Sequence, residues 1–306
     1  MRRLGRFAWG VVALNVLVIL WGAYVRATGS GAGCGSHWPL CDGQVVPRAR
    51  DAQTLIEFTH RLSSGAALVA VFALLVWVLR AVARGQPARR AAIWAAFFMA
   101  LEAALGAWLV LAELVAGNTS LLRGVTSSLH LLNTLLLLGC LTLTAHFLGG
   151  GAAPRPRQTA RLTGAMAVAL AGVLALGMTG AIAALGDTLF PAASLRHGVQ
   201  ADLSPSAHAF IRLRALHPLL AALVGVYILA MAWRLAARHS SPRVRTYAWR
   251  AGLLVAIQLA AGVINLALLA PIWMQILHLL LADLVWISLI LLAAQAMAEP
   301  ADLVPA

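Results

Sequence analysis

Lysine is absent from the 306 residues, and all 23 side chains of the Lys/Arg class are arginine. Acidic residues number only 10, and charged residues of both signs make up 11%. A soluble domain carries about 25%. A chain that is 61% hydrophobic, with a mean hydropathy of +0.86, must therefore turn most of its surface to lipid. The formal charge of +13 invites a nucleic-acid partner. The arginines, however, fall in short clusters between apolar runs and stripe no single face, which excludes that class. Carboxylates are equally scarce where chemistry would need them: only Glu57, Glu102, Glu113 and Asp283 fall in or near apolar runs. Cysteine is limited to Cys34, Cys41 and Cys140.

Crossing the ~30 Å hydrocarbon layer takes roughly 20 apolar residues. Eight runs qualify, at about 7–26, 54–79, 91–113, 125–148, 162–185, 210–233, 250–270 and 274–297. Within such runs only helices satisfy every backbone group. The basic start Met1 to Arg6 precedes an apolar stretch with no convincing small-residue cleavage site, so it reads as the first span and not as a signal peptide. If the N-terminus is cytoplasmic, fifteen arginines fall inside (2, 3, 6, 80, 84, 89, 90, 155, 157, 161, 234, 238, 243, 245 and 250) against eight outside. The positive-inside rule then predicts a multi-pass protein of the cell membrane, with both termini cytoplasmic and the 27–53 loop extracytoplasmic.

The second half repeats the first. His60 and His217 each lie a few residues into an even-numbered span, as do His130 and His278. In span three Glu102 precedes Gly106 by four residues, and in span seven Gln258 precedes Gly262 by four. The expected fold is an all-α membrane protein of eight transmembrane helices. They form two tandem four-helix bundles, 1–148 and 162–306, related by a pseudo-twofold axis along the membrane normal. A cytoplasmic connector at 149–161, beginning "GGGAAPRPRQ", joins them. Gly106, Gly172, Gly177, Gly180 and Gly262 are expected to allow close helix packing.

An imidazole inside a membrane span is costly and marks function or an internal partner. Four at matched positions favour function. Pairing His60 with His130 and His217 with His278 gives one bis-histidine site per bundle, and imidazole is a common axial ligand of heme iron. Glu57 and His60 form a Glu-x-x-His pair of the di-iron type, but the second half has no carboxylate beside His217, so heme fits better. His37, His146, His197, His208 and His239 fall in loops or at helix ends and read as solvated. Three residues before His60 stands Glu57, and three before His217 stands Arg214, each on its histidine's face. The carboxylate suits an acid, a base or a stabiliser of positive charge at one site, unless it only pairs with Arg61 or caps the helix. Arg212 and Arg214, with Arg61 and Arg123, are candidates to hold heme propionates.

These residues resemble the heme A synthase family. The resemblance rests on "IEFTHR" at 56–61, the loop "GSGAGCGSHWPLCDGQ" at 29–44, "SLHLLN" at 128–133, "LRALHPLLA" at 213–221 and "MQILHLLLA" at 274–282. It covers nearly the whole chain in order. It departs at Gly35, where a proline is frequent, at His37, where an acidic residue is common, and at Glu102, where a glutamine is often found. The resemblance implies an enzyme that oxidises the C8 methyl of heme O to a formyl group through hydroxylated intermediates. It implies a substrate heme on His60 and His130 beside a catalytic Glu57, and a heme b cofactor on His217 and His278. Partners would be the prenyltransferase that makes heme O (heme O synthase), oxidase assembly factors, and a quinone or other electron acceptor. The alternative of another class is a diheme b-type membrane cytochrome, which explains the histidines but not Glu57 or the cysteine loop.

Cys34 and Cys41, placed outside the cytoplasm, can hold a disulfide. Even with His37 they are too few for structural zinc. Two readings stay open: a staple ordering a lid over the Glu57/His60 site, or a redox-active pair.

Overall fold

The computed structural model describes residues 1–48, 51–155 and 160–299. Its regular elements are helices: α1 (Arg2–Ala27), α2 (Ala52–Ala81), α3 (Pro87–Leu111), α4 (Leu121–Leu148), α5 (Ala160–Leu189), α6 (Leu195–Leu203), α7 (Ala209–Arg214), α8 (Leu216–Arg238), α9 (Pro242–Ala267) and α10 (Ile272–Ala298). A 3-10 turn covers Ser30–Ala32, and Cys41 and Gln44 form one antiparallel bridge. Among the described residues eight spans are long and apolar enough to cross a membrane, α7 and α8 together forming the sixth (Ala209–Arg238). The protein is a multi-pass membrane protein. Arg157 of the orientation argument, within the connector, lies outside the described residues, as do 300–306.

α2, α4 and α9 begin before their apolar runs, and polar caps hold those starts. Asp51 Oδ1 accepts the Thr54 N–H at 2.7 Å, Ser120 Oγ the Arg123 N–H at 3.3 Å, and Ser241 Oγ the Val244 N–H at 3.4 Å. Each satisfies one of the donors that a helix start leaves unpaired. Pro87 and Pro242 open α3 and α9 in the first turn, where a missing N–H costs nothing.

Two details differ from the expected spans. The sixth is broken at Ala215, which ends α7 and starts α8. Pro218 lies one turn inside: it cannot donate to the Arg214 carbonyl, and its ring clashes there. The loop after span five also carries a nine-residue helix, α6, capped by Ser194 Oγ on the His197 N–H. Polar and short, α6 leaves no hydropathy signal.

Within the first four spans, α1, α2, α3 and α4 neighbour one another in a closed ring, and α5, α8, α9 and α10 do the same. The rings meet where α1 and α4 touch α5 and α10. The densest core lies at this seam. Leu138, Leu141, Leu289 and Leu292 are at most 1% exposed, and the Trp286 indole N–H crosses from α10 to donate to Leu135 O at 2.6 Å. Nearer the loop end, Arg26 of α1 crosses the seam too. It donates to Ala184 O (2.8 Å) and Thr188 Oγ1 (2.6 Å) on α5 and to Gln275 Oε1 (2.7 Å) on α10.

The turns after α3 and α9 are built alike. The Glu113 N–H donates to Val110 O and the Leu114 N–H to Leu109 O; Leu269 N–H donates to Leu266 O and Ala270 N–H to Asn265 O. Both are Schellman motifs. Their left-handed positions, usually glycine, hold Glu113 (φ 55°) and Leu269 (φ 61°).

Candidate heme centre

The four even-numbered spans start at the same end of the bundle, and each carries its histidine near that start. His60 and His217 are each the ninth residue of their spans, His130 the tenth and His278 the seventh. At 1.5 Å per residue the rings share a depth. All four are half-buried, as cleft-lining side chains are.

In the second ring of helices the imidazoles of His217 and His278 face each other, with centroids 6.5 Å apart and planes at 86°. A metal bound at roughly 2.0–2.1 Å from one nitrogen of each ring sets the centroids about 6 Å apart, so the gap fits one shared ion. In the first ring of helices His60 lies within electrostatic reach of His130. Nδ1 of His60, His130 and His278 is buried without a hydrogen-bond partner. Such orphaned nitrogens are rare in finished cores. Among the described residues no group of three or more His, Cys, Asp or Glu side chains could hold a metal ion. Paired imidazoles with no third donor suit a metal that brings its remaining ligands with it, and a porphyrin does so. They do not suit zinc or a di-iron carboxylate centre.

Three of the rings rest on glycines of the neighbouring helix. A Cβ at Gly22 would meet His60 Cε1 at 2.9 Å, one at Gly180 His217 Cε1 at 3.1 Å, and one at Gly262 His278 Cε1 at 3.1 Å. Gly106, expected to serve packing, has nothing within 4 Å of such a Cβ. Polar neighbours complete the surroundings. Thr179 Oγ1 lies 3.2 Å from His217 Nδ1, Gln258 Nε2 lies 3.3 Å from His278 Nε2, and Glu102 Oε1 lies 3.5 Å from His130 Nδ1.

Glu57 is 3% exposed. Its Oε1 accepts from Arg61 Nη2 (2.5 Å) and Nε (3.1 Å), and its Oε2 accepts the Cys34 N–H at 2.8 Å. The pairing with Arg61 is thus present, and the carboxylate also anchors the cysteine loop. Arg61 donates onward to His37 O and Leu40 O at 2.6 and 2.7 Å, tying the loop to α2 a second time. Cys34 and Cys41 form a disulfide, with Cα atoms 4.4 Å apart and both residues at most 1% exposed. Beneath it an open apolar groove of about 830 Å³ runs along α2 past Cys41, Phe58, Arg61, Leu62, Val69 and Ala73.

The other candidate arginines have protein partners or face outward. Arg123, 3% exposed, donates to Ala116 O and Asn118 O. Arg214 bridges Asp187 (3.0 Å) and Asp202 (2.6 Å), binding α5 and α6 to α7. Arg212 is exposed. Among the histidines read as solvated, His37 and His197 are exposed. His239 is only 2% exposed and accepts the Ser241 N–H. His208 caps α7 and stacks on Phe190, and His146 is half-buried with Nε2 unpartnered. His208 and His239 thus each accept a backbone N–H at a helix end. Sequence reading also missed Arg26, whose acceptors lie 158 to 249 residues away.

Several known proteins are similar to the chain. A protein of Thermus thermophilus named protoheme IX farnesyltransferase is 50% identical over 295 residues, covering 96% of the chain and 48% of that relative. The heme A synthase of Geobacillus kaustophilus is 40% identical over 106 residues, 35% of the chain and 33% of the relative. That of Symbiobacterium thermophilum is 41% identical over 99 residues, 32% of each. The chain thus spans about half the length of the Thermus relative, and its match takes in about a third of each heme A synthase. The family model COX15-CtaA, described as cytochrome oxidase assembly protein, matches residues 5–290. Covering nearly the whole bundle, with all four histidines inside it, that match places the chain in the COX15-CtaA family of cytochrome oxidase assembly proteins.

Proposed function

We propose that the protein is a heme A synthase, oxidising the C8 methyl of heme O to a formyl group by successive hydroxylations and loss of water from the geminal diol. One observation carries this reading: two pairs of imidazoles, with orphaned ring nitrogens and, among the described residues, no third protein donor, lie at one depth in the bundle. The relatives named heme A synthase support it.

His60 and His130 hold the substrate, and His217 and His278 hold heme b. Bound there, heme b supplies one-electron transfer. Gly22, Gly180 and Gly262 give the rings room, and the seam helices keep the two sites at a fixed separation. Glu57, pinned by Arg61 and the Cys34 amide, holds a carboxylate one turn from His60 and stabilises positive charge developing on the substrate. The disulfide, out of solvent on both sulfurs, acts as the staple of a lid. The apolar groove beneath it reaches Arg61 and follows α2 for about 22 Å, which suits the prenyl tail of heme O. Arg212, exposed and five residues before His217, is left as the propionate contact of the second site.

The arginine distribution supports cytoplasmic termini, an extracytoplasmic cysteine loop and a cell-membrane location. The matched neighbour patterns of the two helix rings support halves 1–148 and 162–306 about a pseudo-twofold axis. Delivery of heme O by its prenyltransferase is supported by the Thermus relative, whose name is that activity and half of whose length the chain matches. Oxidase assembly factors would receive the product, and a quinone or another membrane acceptor would take the electrons.

The test is expression with a heme O source, followed by chromatography and mass analysis of extracted hemes. Heme A or its hydroxylated precursor is expected, and Glu57→Ala should lower its yield without removing the second-site heme. Heme-loaded protein returning only heme O would refute the reading and leave an electron-carrying diheme cytochrome.

A further inference from the structure

We propose that Glu102 is a positioning residue for His130, giving the first-half heme a more strongly donating ligand, and hence a lower potential, than the second-half heme. This rests on the heme reading above. Nδ1 of His130 is buried without a hydrogen-bond partner, and Glu102 Oε1 lies 3.5 Å from it. The carboxylate is held in place. Asn133 Nδ2 donates to Oε2 at 2.5 Å and Thr134 Oγ1 to Oε1 at 2.5 Å. Both sit one turn beyond His130 on α4, and Asn133 also donates to Phe98 O, locking α3 to α4. Every group facing the two oxygens in these contacts is able to donate, so Glu102 serves as an acceptor. A carboxylate accepting from Nδ1–H fixes the tautomer, leaves Nε2 free for a metal and raises the basicity of the ring.

The second half shows the contrast. Gln258 stands four residues before Gly262, as Glu102 does before Gly106, and each side chain meets the histidine of the following span. Gln258 brings a neutral amide, which offers His278 no charge. A more basic ligand favours ferric over ferrous iron. The difference between Glu102 and Gln258 therefore biases electrons from the first site, where the substrate is oxidised, toward the second.

The test is a redox titration of the heme-loaded protein, with the two hemes told apart through His60→Ala and His217→Ala. Glu102→Gln should raise the ferrous-to-ferric ratio of the first-half heme about tenfold at fixed potential, about 59 mV for one electron, and leave the second unmoved. Gln258→Glu should shift the second-half heme in the opposite sense. A first-half midpoint unchanged by Glu102→Gln overturns the proposal. Should that variant lose its heme, an unchanged second-half midpoint in Gln258→Glu overturns it equally. If His130→Ala leaves both hemes with wild-type spectra, it is the heme reading that fails.

Discussion

A single methyl group placed beneath a histidine gives the sharpest check on the site. In Gly22→Ala the new Cβ would lie 2.9 Å from His60 Cε1 and 3.2 Å from Nε2. Carbon atoms at rest sit about 3.5–4.0 Å apart, so the ring or the α1–α2 contact must give by roughly 0.6–1 Å. Overpacking of this kind costs about 1–3 kcal/mol. Alanine in place of glycine within a helix returns roughly 0.5–1 kcal/mol, so the protein still folds with its histidine displaced. A ligand bond of roughly 2 Å does not survive a shift of that size. The assay is heme content and absorption spectrum of purified protein. Gly22→Ala should deplete the first-half heme, and Gly180→Ala and Gly262→Ala the second-half one. Gly106→Ala is the internal control: it occupies the position equivalent to Gly262, yet nothing lies within 4 Å of its Cβ, so heme content should hold and stability rise slightly. Wild-type heme content in Gly22→Ala, or loss in Gly106→Ala, would refute the reasoning.

Further expectations concern the turns and the loop. Leu269→Gly removes a side chain from a left-handed position and should stabilise the protein by about 1 kcal/mol, read as a higher melting temperature in detergent; a decrease would show that the Leu269 side chain matters more than its backbone. The Asp51 carboxylate, outside the spans, is held below the ordinary 3.8 by the Thr54 N–H it caps. A depressed carboxylate stabilises the fold above its unfolded value, and that contribution is lost as pH falls through the folded value. Acid scans below about pH 4 should therefore loosen the α2 start in the wild type more than in Asp51→Asn, which keeps the cap without the charge. Proteolysis of the cysteine loop reports the difference, and identical profiles would count against the cap.

The spans were legible because lipid demands long apolar runs and little else satisfies that demand. The histidine repeat was legible for a related reason: imidazole is so scarce inside a membrane that position alone carries information. Glu102 and Gln258 were visible as a matched pair, but their direction toward His130 and His278 was not, since it depends on how α3 and α9 roll against their neighbours. Pro218 stood in plain view, and the break at Ala215 follows from it; hydropathy, which averages over the whole span, smooths such a break away. Arg214 and its two acids are separated by 27 and 12 residues, and an ion pair of that kind leaves no periodic trace. The caps formed by His208 and His239 reach only two residues along the chain, but they depend on where each helix ends, which hydropathy alone does not fix.

The two rings of helices share one arrangement with a kinetic meaning. His130 and His278 ride on α4 and α10, each of which is gripped by four other spans. His60 and His217 ride on α2 and on the sixth span, each flanked by two other spans, with the cysteine loop over the start of α2 and α6 against α7. Displacing an inner helix disturbs the seam and its Trp286 and Arg26 ties, whereas displacing an outer one opens a sidewall to the bilayer. Under the proposed heme pairing, the two ligands of one iron would be unequal. One would stand on a helix enclosed by four others, as on an anvil; the other, carried by the less enclosed helix, would be the latch on the side where a large amphiphile could pass.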